Sequence, residues 1–153
     1  MICTDYHIAS GAPTARRTVR CAADMDQQPL GDGEDRLPLA VAPGHWINHA
    51  AVLAQRAAEA PDWRHAVIAQ APSPATMLSP AELTITAAGT ATILIQMLPP
   101  WCHVRVDGPV PTSIDLPDGD SSLEIVVELP GDYSITARAA RHSITQWVCH
   151  VSD

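Results

Sequence analysis

Alternation of apolar and polar residues is strongest over residues 121–140, and it predicts two β-strands joined by one tight turn. The first strand turns every second residue inward over 123–129, and only Val126 breaks the polar face. Pro130 and Gly131 form the turn, because proline presets φ at the first central position and glycine tolerates the positive φ of the second. The second strand turns four side chains to one side: Tyr133, Ile135, Ala137 and Ala139.

The same pattern recurs along residues 81–153 and predicts seven short strands separated by Gly, Pro and Asp turns. Seven strands with turns about every 8 to 12 residues are typical of an immunoglobulin-like β-sandwich. Tyr133 follows the Pro130–Gly131 corner by two residues, where such sandwiches place a tyrosine whose hydroxyl binds the backbone. We therefore predict a structural role for Pro130, Gly131 and Tyr133.

The N-terminal residues predict a hairpin, with Ile2–Ile8 and Thr14–Ala22 as its strands. A hairpin centred near Ala12 would set Cys3 opposite Cys21, within reach of a cross-strand disulfide. We expect these thiols to be reduced instead. Four cysteines are sparse for a disulfide framework at this length, and the chain is expected to be made in the cytoplasm.

Residues 49–60 (HAAVLAQRAAEA) fit two structures. The alanine content and the apolar spacing fit a short helix that ends before Pro61. A strand over residues 51–56 would instead complete a four-stranded meander with the hairpin. We favour the strand, because the hairpin needs a partner to cover its edge.

Residues 66–80 carry three prolines and little periodicity, which is typical of an extended linker. The predicted fold is therefore all-β, with a small N-terminal β-meander module over 1–65, this linker, and a C-terminal immunoglobulin-like β-sandwich over 81–153. Each module is small enough to bury only a marginal core, so self-association or a partner is expected.

Charge narrows the classes of partner. The chain of 153 residues has a net charge of −8, and its nine basic residues are all Arg. Nucleic-acid binding is not expected, because it relies on clustered Lys and Arg to displace counterions. No apolar run approaches the length that spans a bilayer, and the first ten residues (MICTDYHIAS) do not resemble a signal peptide.

Candidate chemistry is sparse in the sequence. Cys102-His103 and Cys149-His150 are the best zinc candidates, but adjacent residues on a strand face opposite sides and cannot close on one metal. Asp115, Asp118 and Asp120 lack a complete calcium ligand set. No nucleophile elbow, phosphate loop or zinc-protease motif is present. We predict no cofactor, no metal and no enzymatic activity.

Two runs carry a resemblance to a known group of proteins: TITAAGTATILIQMLPPWCHVRVDGP and DGDSSLEIVVELPGDYSITARAARHSITQW. They resemble small proteins with an immunoglobulin-like domain that are encoded beside tail genes in phages and prophages of proteobacteria. The resemblance covers the C-terminal half well and the N-terminal half loosely. It implies a non-enzymatic structural component of the virion, with other virion proteins as partners and several copies in the particle.

Within this group the expected location is the tail tip or the fibre attachment. Alternatives are a capsid decoration protein, or a carbohydrate-binding surface module that recognises a host-surface glycan. The N-terminal module is nearer to neutral and holds three aromatic residues of the type enriched at interfaces, so we predict that it docks. These residues are Tyr6, Trp46 and Trp63.

Overall fold

The computed structural model describes residues 1–18, 29–116 and 119–153. Strands make up 49% and helices 9% of these described residues, so the predicted all-β class is confirmed. The chain divides into two compact units, Met1–Ala71 and Pro72–Asp153.

In its described residues, 1–18 and 29–71, the N-terminal unit contains two small sheets and one α-helix. Its three-stranded antiparallel sheet has the order β2-β1-β3, and a second sheet pairs β4 with β5. The elements are β1 Ile2–His7, β2 Pro13–Thr18, β3 Glu34–Leu37, β4 His45–Ile47, α1 His49–Arg56, a 3₁₀ turn Trp63–Ala66 and β5 Val67–Ala69.

The strand predicted over residues 51–56 is wrong, because this segment is α1. The Asn48 side chain caps the helix by accepting hydrogen bonds from the backbone N–H groups of Ala50 (3.1 Å) and Ala51 (3.4 Å). Arg56 lies in the last turn, where a cation is favourable. A good N-cap followed by alanines outweighs the need for an edge strand, and Val52 packs into the core instead.

The hairpin is not centred near Ala12. A register shift between Asp5 and Tyr6 and a turn at residues 8–10 place Cys3 opposite Arg17. Cys21 lies outside the described residues. Gly11 fixes the turn: its φ is +74°, and a Cβ there would lie 2.2 Å from the carbonyl oxygen of Ile47. Only glycine fits this close approach, which joins the hairpin to β4.

The core of the N-terminal unit lies between the sheets and α1. One residue from each neighbouring element supplies it: Tyr6, Leu37, Ile47, Val52 and Ala66. Strand β1 is the central strand of its sheet, and its residues 3–6 are buried on both faces.

The C-terminal unit contains all seven predicted strands and one more. They are β6 Thr76–Met77, β7 Glu82–Thr84, β8 Ala91–Gln96, β9 His103–Asp107, β10 Thr112–Asp115, β11 Ser122–Val127, β12 Gly131–Ala139 and β13 His142–Ser152. Five form a sheet of order β10-β9-β12-β13-β7, in which β7 runs parallel to β13. The other three form a sheet of order β11-β8-β6.

The two sheets share one core, as the period-two pattern predicts. Ile93, Ile95 and Ile125 from the three-stranded sheet belong to the same buried cluster as Val104 and Ile135 from the five-stranded sheet. Met97 follows Ile95 by two residues but is exposed, because its backbone has a positive φ of 57° and leaves the strand. The order also places β12 between β9, which Cys102 precedes, and β13, which contains Cys149, and both thiols are buried and free.

Residues 66–80 do not form a free linker. Ala66 is buried in the N-terminal core, and Val67–Ala69 forms β5. Ala75 is buried in the C-terminal core, and Thr76–Met77 pairs with β8. Prolines limit this segment to short strands at sheet edges without excluding it from the cores.

Candidate functional site

An apolar groove opens at one edge of the sandwich, between β10 of one sheet and β11 of the other. Its volume is about 340 Å³. We call it the edge groove and define it by the residues that line it: Val106, Val110, Thr112, Ile125, Val126, Val127, Glu128, Leu129 and Tyr133. Both strands are the last described strand on their side of the sheet. The groove therefore extends the hydrophobic core to the surface.

The predicted corner builds one wall of the edge groove. The Tyr133 hydroxyl donates a hydrogen bond to the carbonyl oxygen of Leu129 at 2.7 Å, which is the contact of a tyrosine corner. Burial raises the pKa of the Tyr133 phenol, so it remains a donor. Gly131 has a φ of +148°, and a Cβ there would lie 2.8 Å from Cγ of Pro109. The contacts of Gly131 and Tyr133 thus fix this wall of the groove.

The rim of the edge groove exposes large apolar side chains. Val110 is 64% exposed, Val126 59% and Leu129 46%. Exposed apolar residues are ordinary one at a time, but three around one apolar groove indicate a surface that another molecule covers. Two carboxylates, Glu124 and Glu128, are exposed on the same strand and its end.

A second candidate lies on the outer face of the five-stranded sheet. Polar side chains of β9, β12 and β13 surround a shallow hollow of about 420 Å³. We call it the polar face, and it is lined by His103, Arg105, Asp107, Thr136, Arg138 and Gln146. The sequence pattern places His103, Arg105, Thr136 and Arg138 on outward faces, but only the strand order brings them together.

A network of charges stabilises the N-terminal unit. Asp5 is fully buried on β1, and its carboxylate accepts hydrogen bonds from Nε of Arg36 and Nε of Arg17, both at 2.5 Å. Arg36 is only 5% exposed. Burial alone would raise the pKa of Asp5, but the two guanidinium groups outweigh it and hold that pKa below its usual range. Asp5 therefore stays ionised in the interior.

A polar cluster next to this network joins β1, β3 and α1. The Tyr6 hydroxyl lies 2.8 Å from Nδ1 of His49 and donates to Oδ2 of Asp35 at 3.1 Å. Arg56 donates to Asp35 at 2.7 Å and to the carbonyl oxygen of Arg36 at 3.0 Å. Burial and the Asp35 carboxylate together raise the pKa of Tyr6 far above its usual value. The cluster attaches the helix to the sheet.

The three predicted docking residues lie in or against the N-terminal core. Tyr6 is fully buried, so it is a core residue and cannot contact a partner as predicted. Trp46 packs over Gly11, where a Cβ would lie 2.8 Å from its ring. Trp63 is partly buried against the core cluster. Interface composition and core composition both favour aromatic residues, so the sequence could not separate the two roles.

The zinc candidates do not converge. Cys102 and Cys149 are buried, and burial raises the pKa of both thiols. His103 faces outward and pairs with Asp115 at 2.6 Å, and His150 pairs with Asp132 at 2.7 Å. Over residues 1–18, 29–116 and 119–153, no three His, Cys, Asp or Glu side chains are grouped as a metal site. Asp118 of the candidate calcium loop is outside the described residues.

The chain was compared with known proteins. No protein-family model, curated protein or solved structure matches it. No helix within the described parts of the chain is long and apolar enough to cross a membrane.

Residue signals for both surfaces exist in the sequence. Val126 is the one apolar residue that breaks the polar face of its strand, and it lies on the rim of the edge groove. Arg105 and Arg138 are two of the three Arg after residue 72, and both line the polar face. Neither signal is specific without the strand order that assembles its neighbours.

Proposed function

We propose that this protein is a non-enzymatic structural protein of a tailed phage or prophage virion, associated with the tail tip or fibre. The observation that carries the proposal is the edge groove. It is an apolar surface at an open sheet edge, and a particle component can cover it with a neighbouring chain. The resemblance of residues 84–109 and 118–147 to proteins encoded beside phage tail genes gives the biological setting.

The strand order supports an immunoglobulin-like assignment of the C-terminal unit. Such sandwiches place their first, second and fifth strands in one sheet and their third, sixth and seventh in the other. If β6 and β7 are the two halves of a first strand, the sheets β11-β8-β6 and β10-β9-β12-β13-β7 follow this division. The hydrogen bond from Tyr133 to Leu129 adds to that support.

The occupant that fits the edge groove is an extended segment of another virion protein. Strand β11 pairs on one side with β8, and the structure describes no strand on its other side. An added strand would pair with that edge and insert alternate side chains into the groove. The six residues of β11 give it enough length for several backbone hydrogen bonds.

Charge favours a basic partner over a second copy. The C-terminal unit has nine acidic residues and three Arg. Two copies meeting edge to edge through β11 would bring Glu124 and Glu128 of each chain close to the same residues of the other, and like charges repel. A segment with apolar residues flanked by Lys or Arg avoids this repulsion, because its cations lie near Glu124 and Glu128.

The docking surface therefore lies on the C-terminal unit in this proposal, and not on Tyr6, Trp46 and Trp63. Those side chains pack within the N-terminal unit: Tyr6 is buried in its core, Trp46 packs over Gly11, and Trp63 packs against the core cluster. A capsid decoration role uses the same groove at a different place in the particle.

The test is localisation in particles made by cells in which the gene is replaced by tagged variants. We expect electron microscopy to place the wild-type protein at the tail tip or fibre. Val126→Glu should be lost from purified particles, because a charge on the rim opposes an apolar segment. Val148→Glu is the matched control, since Val148 is 61% exposed on β13, outside the groove lining.

Three outcomes would contradict the proposal. Absence of the wild-type protein from particles removes the virion role. Its presence on the capsid shell would contradict the tail location and support a capsid decoration role. Equal incorporation of Val126→Glu and wild-type protein removes the edge groove as the docking surface.

A further inference from the structure

The polar face is organised as two rows of side chains across the five-stranded sheet. Backbone register sets one residue of each strand directly opposite the next, so the rows follow from the pairing. The first row, from β10 to β13, is Ser113, Arg105, Thr136 and Gln146. The second row is Asp115, His103 and Arg138. Every member carries a hydrogen-bonding side chain.

Two contacts hold the first row in place. Nε2 of Gln146 donates to the Thr136 hydroxyl oxygen at 3.3 Å. Nε of Arg105 donates to Asp107 on the same strand at 2.9 Å. Thr136 is only 7% exposed although it points away from the core, because its neighbours cover it. The hollow is thus built from side chains that support one another.

Arg138 is the cation that these contacts leave available. It is exposed, and no carboxylate among the described residues forms an ion pair with it. Asp107 and Asp115, the acidic residues nearest in the rows, are paired with Arg105 and His103. The unit has nine acidic residues, so a cation that forms no ion pair with any described one is a specific feature.

The pairing on one side of β12 places Arg138 in the polar face. Arg138 lies directly opposite His103 of β9, in the regular register that continues from Ala137 and Val104. On its other side the pairing with β13 shifts between Ala137 and Ala139, and the extra residue lies on β13, where residues 143 and 144 stand against Arg138 alone. The Arg138 side chain lines the hollow of about 420 Å³.

We propose that the polar face binds an acidic sugar, with Arg138 holding its carboxylate. The planar guanidinium matches a carboxylate through two parallel hydrogen bonds. The first row then offers hydroxyl and amide groups from Ser113, Thr136 and Gln146 to the sugar hydroxyls. Three inter-strand spacings give this row a length of about 14 Å, which is longer than one sugar ring.

The charge of the unit limits the ligand to a low charge density. Nine acidic residues against three Arg repel a polyanion such as a nucleic acid or a heavily sulfated polysaccharide. One carboxylate for one Arg138 is compatible with that field. The ligand class is therefore a polyhydroxylated chain of otherwise uncharged sugars that carries isolated carboxylates, as some uronic-acid glycans do.

This inference goes beyond the virion proposal and uses a different surface. No residue that lines the edge groove lines the hollow of the polar face. Particle incorporation and sugar binding are measured separately, so either proposal can fail while the other stands.

The test is binding of the purified full chain to an array of oligosaccharides with uronic or nonulosonic acids, each beside its carboxyl-reduced form. We expect retention on acidic members and at least tenfold weaker binding to the reduced forms. Arg138→Gln should weaken binding at least tenfold without changing the melting temperature, because the side chain is exposed. Arg64→Gln removes the same charge in the N-terminal unit and should bind like wild type.

The opposing results are equally defined. No retention on any acidic member overturns the inference. Equal binding by Arg138→Gln and wild type removes the polar face as the site. Binding to immobilised poly-glutamate as strong as to the acidic sugars identifies an acidic protein segment as the ligand class instead.

Discussion

The buried charge network gives the sharpest stability test of this structure. We expect Asp5→Asn to destabilise the N-terminal unit while leaving the C-terminal unit intact. The substitution keeps the shape of the side chain but removes the carboxylate that faces Arg36 at 2.5 Å and, through its second oxygen, Arg17. Arg36, at 5% exposure, then loses the counter-charge that made its burial tolerable.

The magnitude follows from the burial of both partners. Removing one member of a buried ion pair costs about 3–5 kcal/mol, because the remaining charge is desolvated without compensation. A small domain has only about 5–15 kcal/mol of stability in total. The expected loss is therefore about a fifth or more of the free energy of unfolding of the N-terminal unit.

Hydrogen–deuterium exchange with mass spectrometry, repeated at increasing urea, measures this loss for each unit, because peptides of residues 1–71 and 72–153 differ in mass. Arg17→Gln is the matched control. Its side chain is 39% exposed, and the buried pair stays intact, so we expect a loss of about 1 kcal/mol or less. The double variant Asp5→Leu, Arg36→Met should recover part of the loss, because it leaves no buried charge unpaired.

The reasoning would be refuted by an Asp5→Asn protein whose N-terminal peptides lose no more stability than those of Arg17→Gln. That result would mean that Arg36 reaches solvent or other acceptors without cost. A loss shared equally by peptides of both units would show that Asp5 acts on the whole chain.

Three further predictions concern acid stability, the Tyr133 hydrogen bond and the cysteine thiols. Ion pairs lower the folded-state pKa of Asp5 and Asp35 below 3.8, so the stability that these carboxylates give is present above about pH 4 and is lost as pH falls further. An acid titration followed by hydrogen exchange should show this loss in the N-terminal unit. A stability that does not change between about pH 5 and 2.5 would contradict the prediction. Tyr133→Phe should cost the C-terminal unit about 1 kcal/mol, or about 4–8 °C in melting temperature, and an unchanged melting temperature would remove the hydrogen bond to Leu129 as a stabilising contact. Alkylation of the unfolded protein without reductant should label all four cysteines, and fewer than four labels by mass would reveal a disulfide. In the folded protein, Cys102 and Cys149 should react slowly, because burial raises the pKa of both thiols.

The C-terminal strands could be predicted from the sequence because each has one buried and one exposed face. Alternation identified the inward residues Ile93, Ile125 and Ile135, and turns at Gly and Pro set the strand ends. The N-terminal unit could not be predicted in the same way. Strand β1 is buried on both faces. Alternation therefore predicts that Asp5 faces solvent, whereas its side chain is buried.

The helix shows a second limit of pattern reasoning. Residues 49–56 fit either a helix or a strand, and the residue that decides is Asn48, just before the segment.

The candidate surfaces show a third limit of pattern reasoning. Arg105, Thr136 and Gln146 are far apart in sequence and meet only because β9, β12 and β13 are neighbours. Strand order depends on long-range pairing, which local periodicity does not encode.

The two surfaces of the C-terminal unit can be separated by one pair of variants. Val126→Glu changes the rim of the edge groove, and Arg138→Gln changes the polar face; both positions are exposed, so neither should unfold the sandwich. We expect the first variant to bind acidic sugars normally and to be lost from particles. The second should be incorporated normally and lose sugar binding. If either variant loses both properties while its melting temperature is unchanged, the surfaces act as one site, and the partner that covers the groove must also complete the sugar-binding face.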